Sequence, residues 1–179
     1  MPSTTVATVA RILMIAGGAR GRALAAELVA QGHAVRITTR EQSGRAAIEA
    51  VGAECWIGTP DRVATLRYAL EGVTLACWLL GTACGEPDAV AALHGSRLEF
   101  FLGQTIDTTV RGLLYEAAGS VDPALLRAGR ELIGERAAYN AIPLRVLDAD
   151  PHDRARWLDQ ARAAVEALLG HGDAQPGGG

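Results

Sequence analysis

The chain has 179 residues, of which 49% are hydrophobic and 21% charged, with a formal net charge of −3. That length buries one substantial core without staples, so the reading is a single domain over residues 1–171 and a tail at 172–179, GDAQPGGG, that lacks apolar periodicity. The charge balance gives no overall basic field for nucleic acid, and no apolar stretch reaches the roughly 20 uninterrupted residues of a membrane span, so neither partner is expected. Three cysteines, an odd number, argue against a disulfide framework and for a reducing compartment, with the cytoplasm as the expected location. All basic residues are arginine, so no lysine can serve as acid, base or Schiff-base amine.

Along the chain, an apolar run from Ile12 to Ala16 meets a turn containing Gly17, Gly18 and Gly21. Helix formers follow from Arg22 to Ala30, and a second apolar run ends in Thr38, Thr39 and Arg40. Ser43 caps a predicted helix over Gly44 to Val51, and Glu54 to Ile57 reads as a third strand. Gly58 to Asp61 is a turn whose proline opens a predicted helix from Arg62 to Leu70. Val73 to Leu80, VTLACWLL, is a continuous apolar run, the pattern of a central strand covered on both faces. One helix is predicted from Asp88 to about Gln104, a fifth strand over Gly112 to Ala117, and a helix from an Asp122-Pro123 start to about Tyr139. Leu144 to Leu147 makes the sixth strand, and Asp153 to Leu169 a final helix whose apolar face serves packing or a homodimer contact.

Alternating strands and helices of this spacing predict an α/β fold, a doubly wound parallel sheet in the order 3-2-1-4-5-6. Ligands in such sheets bind beyond the strand C-termini where the order reverses. A pocket is therefore expected from Gly17 to Arg22, Thr38 to Arg40, Gly58 to Asp61, Leu80 to Cys84 and Ala117 to Val121.

The glycine turn is the most informative segment. Against G-x-G-x-x-G it places alanine, Ala16, at the first glycine; against G-x-x-G-x-x-G it places Leu24 at the third. Its setting, after a strand and before a helix, suits a pyrophosphate held by free backbone N–H groups at a helix start. Gly17, Gly18, Ala19, Arg20, Gly21 and Arg22 are the candidate phosphate-side residues. At the end of strand two, Thr39 and Arg40 stand where a carboxylate would accept hydrogen bonds from a free ribose. Arginine there favours NADP, although Glu41 follows at once and keeps NAD open.

With these pieces in view the chain resembles the short-chain dehydrogenase/reductase superfamily, more closely its extended and atypical branches of NAD-dependent epimerase-like and NAD(P)H-binding proteins. The resemblance is carried by IAGGARGRALAAELVAQGHAVRITTR, GAECWIGTPDRVATLRYALEGVTLACWLLG, RGLLYEAAGSVD and IPLRVLDAD, over about residues 10–150. It implies a Rossmann-like domain, with Asp61 near the adenine and Leu80, Gly81 and Thr82 beside the sugar and nicotinamide. Catalysis in that family uses a serine after strand five and a Tyr-x-x-x-Lys pair on the next helix. Here the serine positions are Ala117 and Ala118, and the pair would fall near Leu126 and Arg130. The family's set is absent.

Glu116, with Tyr115 and Ser120, is the alternative acid-base candidate beside the expected nicotinamide, each against a structural role as ion pair, core residue or cap. No histidine shows metal-ligand spacing with a cysteine, so no metal site is expected. Two classes of function remain: an oxidoreductase acting on a small carbonyl substrate with a non-standard catalytic set, or a non-catalytic NAD(P)-binding sensor or regulatory partner.

Overall fold

Strands whose residues are apolar on both faces must be covered on both, and here they are. The computed structural model describes residues 9–16 and 18–170; Gly17 and the expected tail lie outside them. Strands β1 (Arg11–Ala16), β2 (Ala34–Thr39), β3 (Glu54–Ile57), β4 (Leu75–Leu79), β5 (Gly112–Glu116) and β6 (Leu144–Leu147) form one parallel sheet. Its order is β3-β2-β1-β4-β5-β6, as the alternating pattern predicts. Every residue of β4 and β5 is buried, which is where continuous apolar runs belong.

Side chains alternate across the sheet. Ile12, Met14, Cys77 and Leu114 face a layer made by α1 (Gly18–Ala30), α2 (Arg45–Glu49) and α6 (Arg154–Gly170). Leu13, Ile15, Trp78 and Tyr115 face the other layer, made by α3 (Pro87–Leu93), α4 (Ser96–Thr105) and α5 (Pro123–Tyr139). Trp157 of α6 is fully buried in the first core and Phe101 of α4 packs on Trp78 in the second, ring centroids 5.0 Å apart.

Three expected helices take other forms, for local reasons. The one predicted over Arg62 to Leu70 is two 3-10 turns, Val63–Leu66 and Tyr68–Leu70. Carbonyls that an α-ladder would use are taken by side chains: Trp56 Nε1 donates to the Thr65 carbonyl, Thr65 Oγ1 to that of Arg62, and Arg36 to that of Ala69. The helix over Asp88 to Gln104 is broken at His94–Gly95 into α3 and α4. There Trp78 Nε1 donates to the Leu93 carbonyl and the His94 ring turns inward, while Gly95 leaves helical geometry at φ −132°, ψ −110°. The helix over Gly44 to Val51 shrinks to α2 behind a 3-10 turn at Gln42–Gly44, and Ser43 bonds Glu41 instead of capping it.

Candidate functional site

The strand order reverses between β1 and β4, and the backbone there is specialised. Ala16 ends β1 at φ 62°, a left-handed conformation that costs a residue with a Cβ about 1 kcal/mol. Its N–H donates to Thr38 Oγ1 at 3.0 Å, tying the end of β1 to β2. Gly18 then opens α1, and a Cβ on Gly21 would press on the Ala16 carbonyl at 3.2 Å, so glycine lets the helix start lie close against the strand end. The free N–H groups of that first turn and the helix dipole favour an anion.

A cavity of about 230 Å³ sits beside this turn, lined among others by Ala16, Gly18, Arg22, Thr39, Arg40 and Leu80. It is smaller than the roughly 300–1,000 Å³ of a pocket that encloses a whole drug-sized ligand, and so suits one half of a dinucleotide. Arg40 reaches Asp61 at 3.5 Å, both side chains largely in water. Five residues named from the sequence, Gly18, Arg22, Thr39, Arg40 and Leu80, thus share one cavity, with Asp61 joined through Arg40; Ala19 is exposed on the first turn of α1.

Arg20 and Glu116 lie elsewhere, against each other. Glu116 is fully buried at the end of β5 on the α1/α6 face. One carboxylate oxygen accepts from Arg20 Nη2 at 3.1 Å and Trp157 Nε1 at 2.8 Å; the other accepts from the Gly81 N–H at 2.7 Å. Arg20 also donates to Thr82 Oγ1 at 3.1 Å and lies 5.2 Å over the Trp157 ring, with its Nε buried and unpartnered. A carboxylate with three donors and no solvent contact is organised as a structural counter-ion, and the arginine that sequence reading assigned to pyrophosphate is its clasp.

The loops after β4 and β5 close over this pair. A Cβ on Gly81 would run into the Ala118 carbonyl, and one on Gly119 (φ +152°) into the Gly81 carbonyl. The Val121 N–H donates to that same Gly81 oxygen at 3.1 Å.

Tyr115 points to the opposite face, as the neighbour of Glu116 on a strand must. Its hydroxyl lies 2.7 Å from His94 Nδ1 and 3.3 Å from the Leu126 carbonyl. Burial, and then the Glu116 charge, push its phenol well above the ordinary 10. His94 is buried too, which lowers its pKa from 6.5. Its Nε2 lies 3.2 Å from the Leu80 carbonyl, an acceptor only, so that nitrogen carries the proton, and the one Tyr115 hydroxyl proton is shared between His94 Nδ1 and the Leu126 carbonyl. Ser120 is exposed in the turn before α5, and the cap is Asp122, accepting from the Ala124 N–H at 2.7 Å. Of the positions implied for a Tyr-x-x-x-Lys pair, Leu126 is buried and Arg130 holds Asp148 at 3.1 Å. Cys84 is free and exposed, whereas burial pushes the Cys77 thiol up to about 12. Among the described residues no three His, Cys, Asp or Glu converge as metal ligands, and no helix is long and apolar enough to cross a membrane.

His94 and Trp157 were not singled out as site residues in the sequence. Trp157 carries only the signal of an apolar helix face, and the partner of His94 is 21 residues away.

Comparison with solved structures agrees with this topology. A UDP-glucose 4-epimerase of Thermotoga maritima, crystallised with UDP-glucose, superposes with a TM-score of 0.60 at 12% identity, over 76% of this chain and 54% of its own. The triphenylmethane reductase of Citrobacter sp. in complex with NADP(H) gives 0.57 at 16% identity, over 76% and 48%. A short-chain dehydrogenase of Streptomyces avermitilis gives 0.61 at 16%, over 89% and 78%. The fold is the Rossmann fold of these epimerases and reductases. The chain spans about half the length of the epimerase and the triphenylmethane reductase. No protein-family model matches the sequence, and no curated protein sequence matches it.

Proposed function

We propose that this chain is an NADP-binding Rossmann protein that holds the adenosine half of the nucleotide in the cavity beside the glycine turn and acts as a non-catalytic sensor or regulatory partner. The carrying observation is that Gly18, Arg22, Thr39 and Arg40 line one cavity at the strand-order reversal. The first turn of α1 supplies N–H groups for pyrophosphate. Arg40, whose Asp61 pair is solvent-exposed and so worth little, supplies a guanidinium for a 2′-phosphate. The burial of Glu116 and Tyr115 supports a binding role, because both groups that could exchange a proton at the end of β5 are bonded within the protein.

The test is titration of the folded protein with NADPH and NADH. NADPH is expected to bind more tightly, and Arg40→Ala to weaken NADPH by about 10- to 100-fold while leaving NADH unchanged, the loss of one charge-assisted phosphate contact. Binding of neither nucleotide by the folded chain overturns the reading.

A second reading, an oxidoreductase acting on a small carbonyl, is favoured by a larger cavity of about 540 Å³ beside the end of β5, where a substrate would fit. Bound nicotinamide would there supply or accept a hydride. Turnover of an aldehyde or quinone panel, followed at the nicotinamide absorbance, would replace the sensor reading with this one.

A further inference from the structure

The second cavity shares no lining residue with the nucleotide cavity. Its apolar wall is formed by Ala117 and Ala118 after β5 and by Pro123 and Leu126 in the first turns of α5. Its polar edge carries Arg127 and Arg130, three residues apart and therefore neighbours on the α5 surface.

Arg127 and Arg130 balance Asp148 and Asp150 in formal charge, but the four are not equally engaged. Asp148 Oδ1 accepts from Arg130 at 3.1 Å, and Asp150 Oδ1 accepts from both the backbone N–H and the ring Nδ1 of His152, each at 2.9 Å. Both carboxylates are thus engaged. The Arg127 side chain, exposed at the cavity edge, has no hydrogen bond or ion pair with any described residue. Its five N–H donors form a fork that matches a carboxylate or phosphate. The Arg130–Asp148 pair is more than half exposed on both sides, so Arg130 can turn to a second oxyanion at little cost. The cavity volume lies within the range that encloses a small ligand.

We propose that this cavity binds a small organic anion, a carboxylate or phosphate monoester on an apolar body. Arg127, assisted by Arg130, takes the oxyanion, and Ala117, Ala118, Pro123 and Leu126 take the body.

The test needs no nucleotide, so its failure leaves the nucleotide reading untouched. Benzoate, phenyl phosphate and the neutral isostere benzamide are titrated separately into the full chain, with backbone amide resonances followed by NMR. At least one anion is expected to shift the amides of Ala117, Ala118 and Gly119, benzamide to shift them far less, and the two anions compared show which oxyanion is preferred. Arg127→Ala is expected to weaken anion binding about tenfold or more, as loss of a charge-assisted contact should, and Arg127→Lys to retain part of it. Because Arg127 has no partner among the described residues, both variants should keep the wild-type near-ultraviolet circular dichroism. Benzamide binding as strongly as benzoate, Arg127→Ala binding either anion unchanged, or no response to either anion overturns the proposal.

Discussion

The two halves of the crevice beyond the strand ends treat their charges in opposite ways. At the β1–β2 half, Arg22 and Arg40 edge an open cavity, and the Asp61 partner of Arg40 is itself in water. At the β4–β5 half, Arg20 and Glu116 are paired, bridged to Thr82, Gly81 and Trp157, and roofed by two loops in backbone contact. An exposed arginine can exchange a weak carboxylate pair for a phosphate almost without loss. A buried pair cannot, since removing one partner strands the other in a medium of low dielectric. The Arg40–Asp61 pair can open to an anion at little cost, whereas the Arg20–Glu116 pair is part of the scaffold.

The contrast breaks most sharply at Glu116. Glu116→Ala leaves Arg20, the Gly81 N–H and Trp157 Nε1 without their acceptor and is expected to cost about 3–5 kcal/mol, read as a lower urea midpoint. Were Glu116 instead held ready for chemistry, the substitution would abolish turnover with little loss of stability.

Next in size is a pH effect at the underside of the same half. Burial lowers the His94 pKa below 6.5, so as pH falls below that value the unfolded chain takes up a proton that the folded chain refuses. Stability is then complete above about pH 6.5 and declines below it, by at most about 1.4 kcal/mol per pH unit until the folded pKa is reached. Denaturation at pH 7.5 and 5.5 should show the decline, and His94→Gln should remove most of it. A decline of equal size in the variant would assign it to other groups.

The smallest change belongs to the open half. Ala16→Gly relieves a left-handed alanine but frees the unfolded chain, two effects of about 1 kcal/mol or less that oppose each other. The urea midpoint should scarcely move. NADPH binding should be kept or strengthened, and a loss of binding would mean that the alanine methyl group contacts the ligand.

How much of this was legible depends on the range of the signal. The sheet order follows from local cues: the run VTLACWLL, the glycine turn and the Asp122-Pro123 helix start. The cavity beside β2 follows from the same cues, because Arg40 needs only its place at a strand end. Even the separation of Tyr115 from Glu116 was available, since adjacent strand residues face opposite ways. The clasp was not legible, for Arg20 and Glu116 are 96 residues apart and nothing local to either names the other. The broken helix at Gly95 and the 3-10 turns after Asp61 likewise depend on distant indole and guanidinium donors that capture carbonyls.

The meeting of Gly81 with Gly119 reaches beyond this molecule. Neither position can take a side chain while the opposing loop keeps its path, so a methyl group at one demands a rerouted or longer loop at the other. The two sites should therefore vary jointly: descendants of this sequence keep glycine at both, or change both together with the loops that carry them.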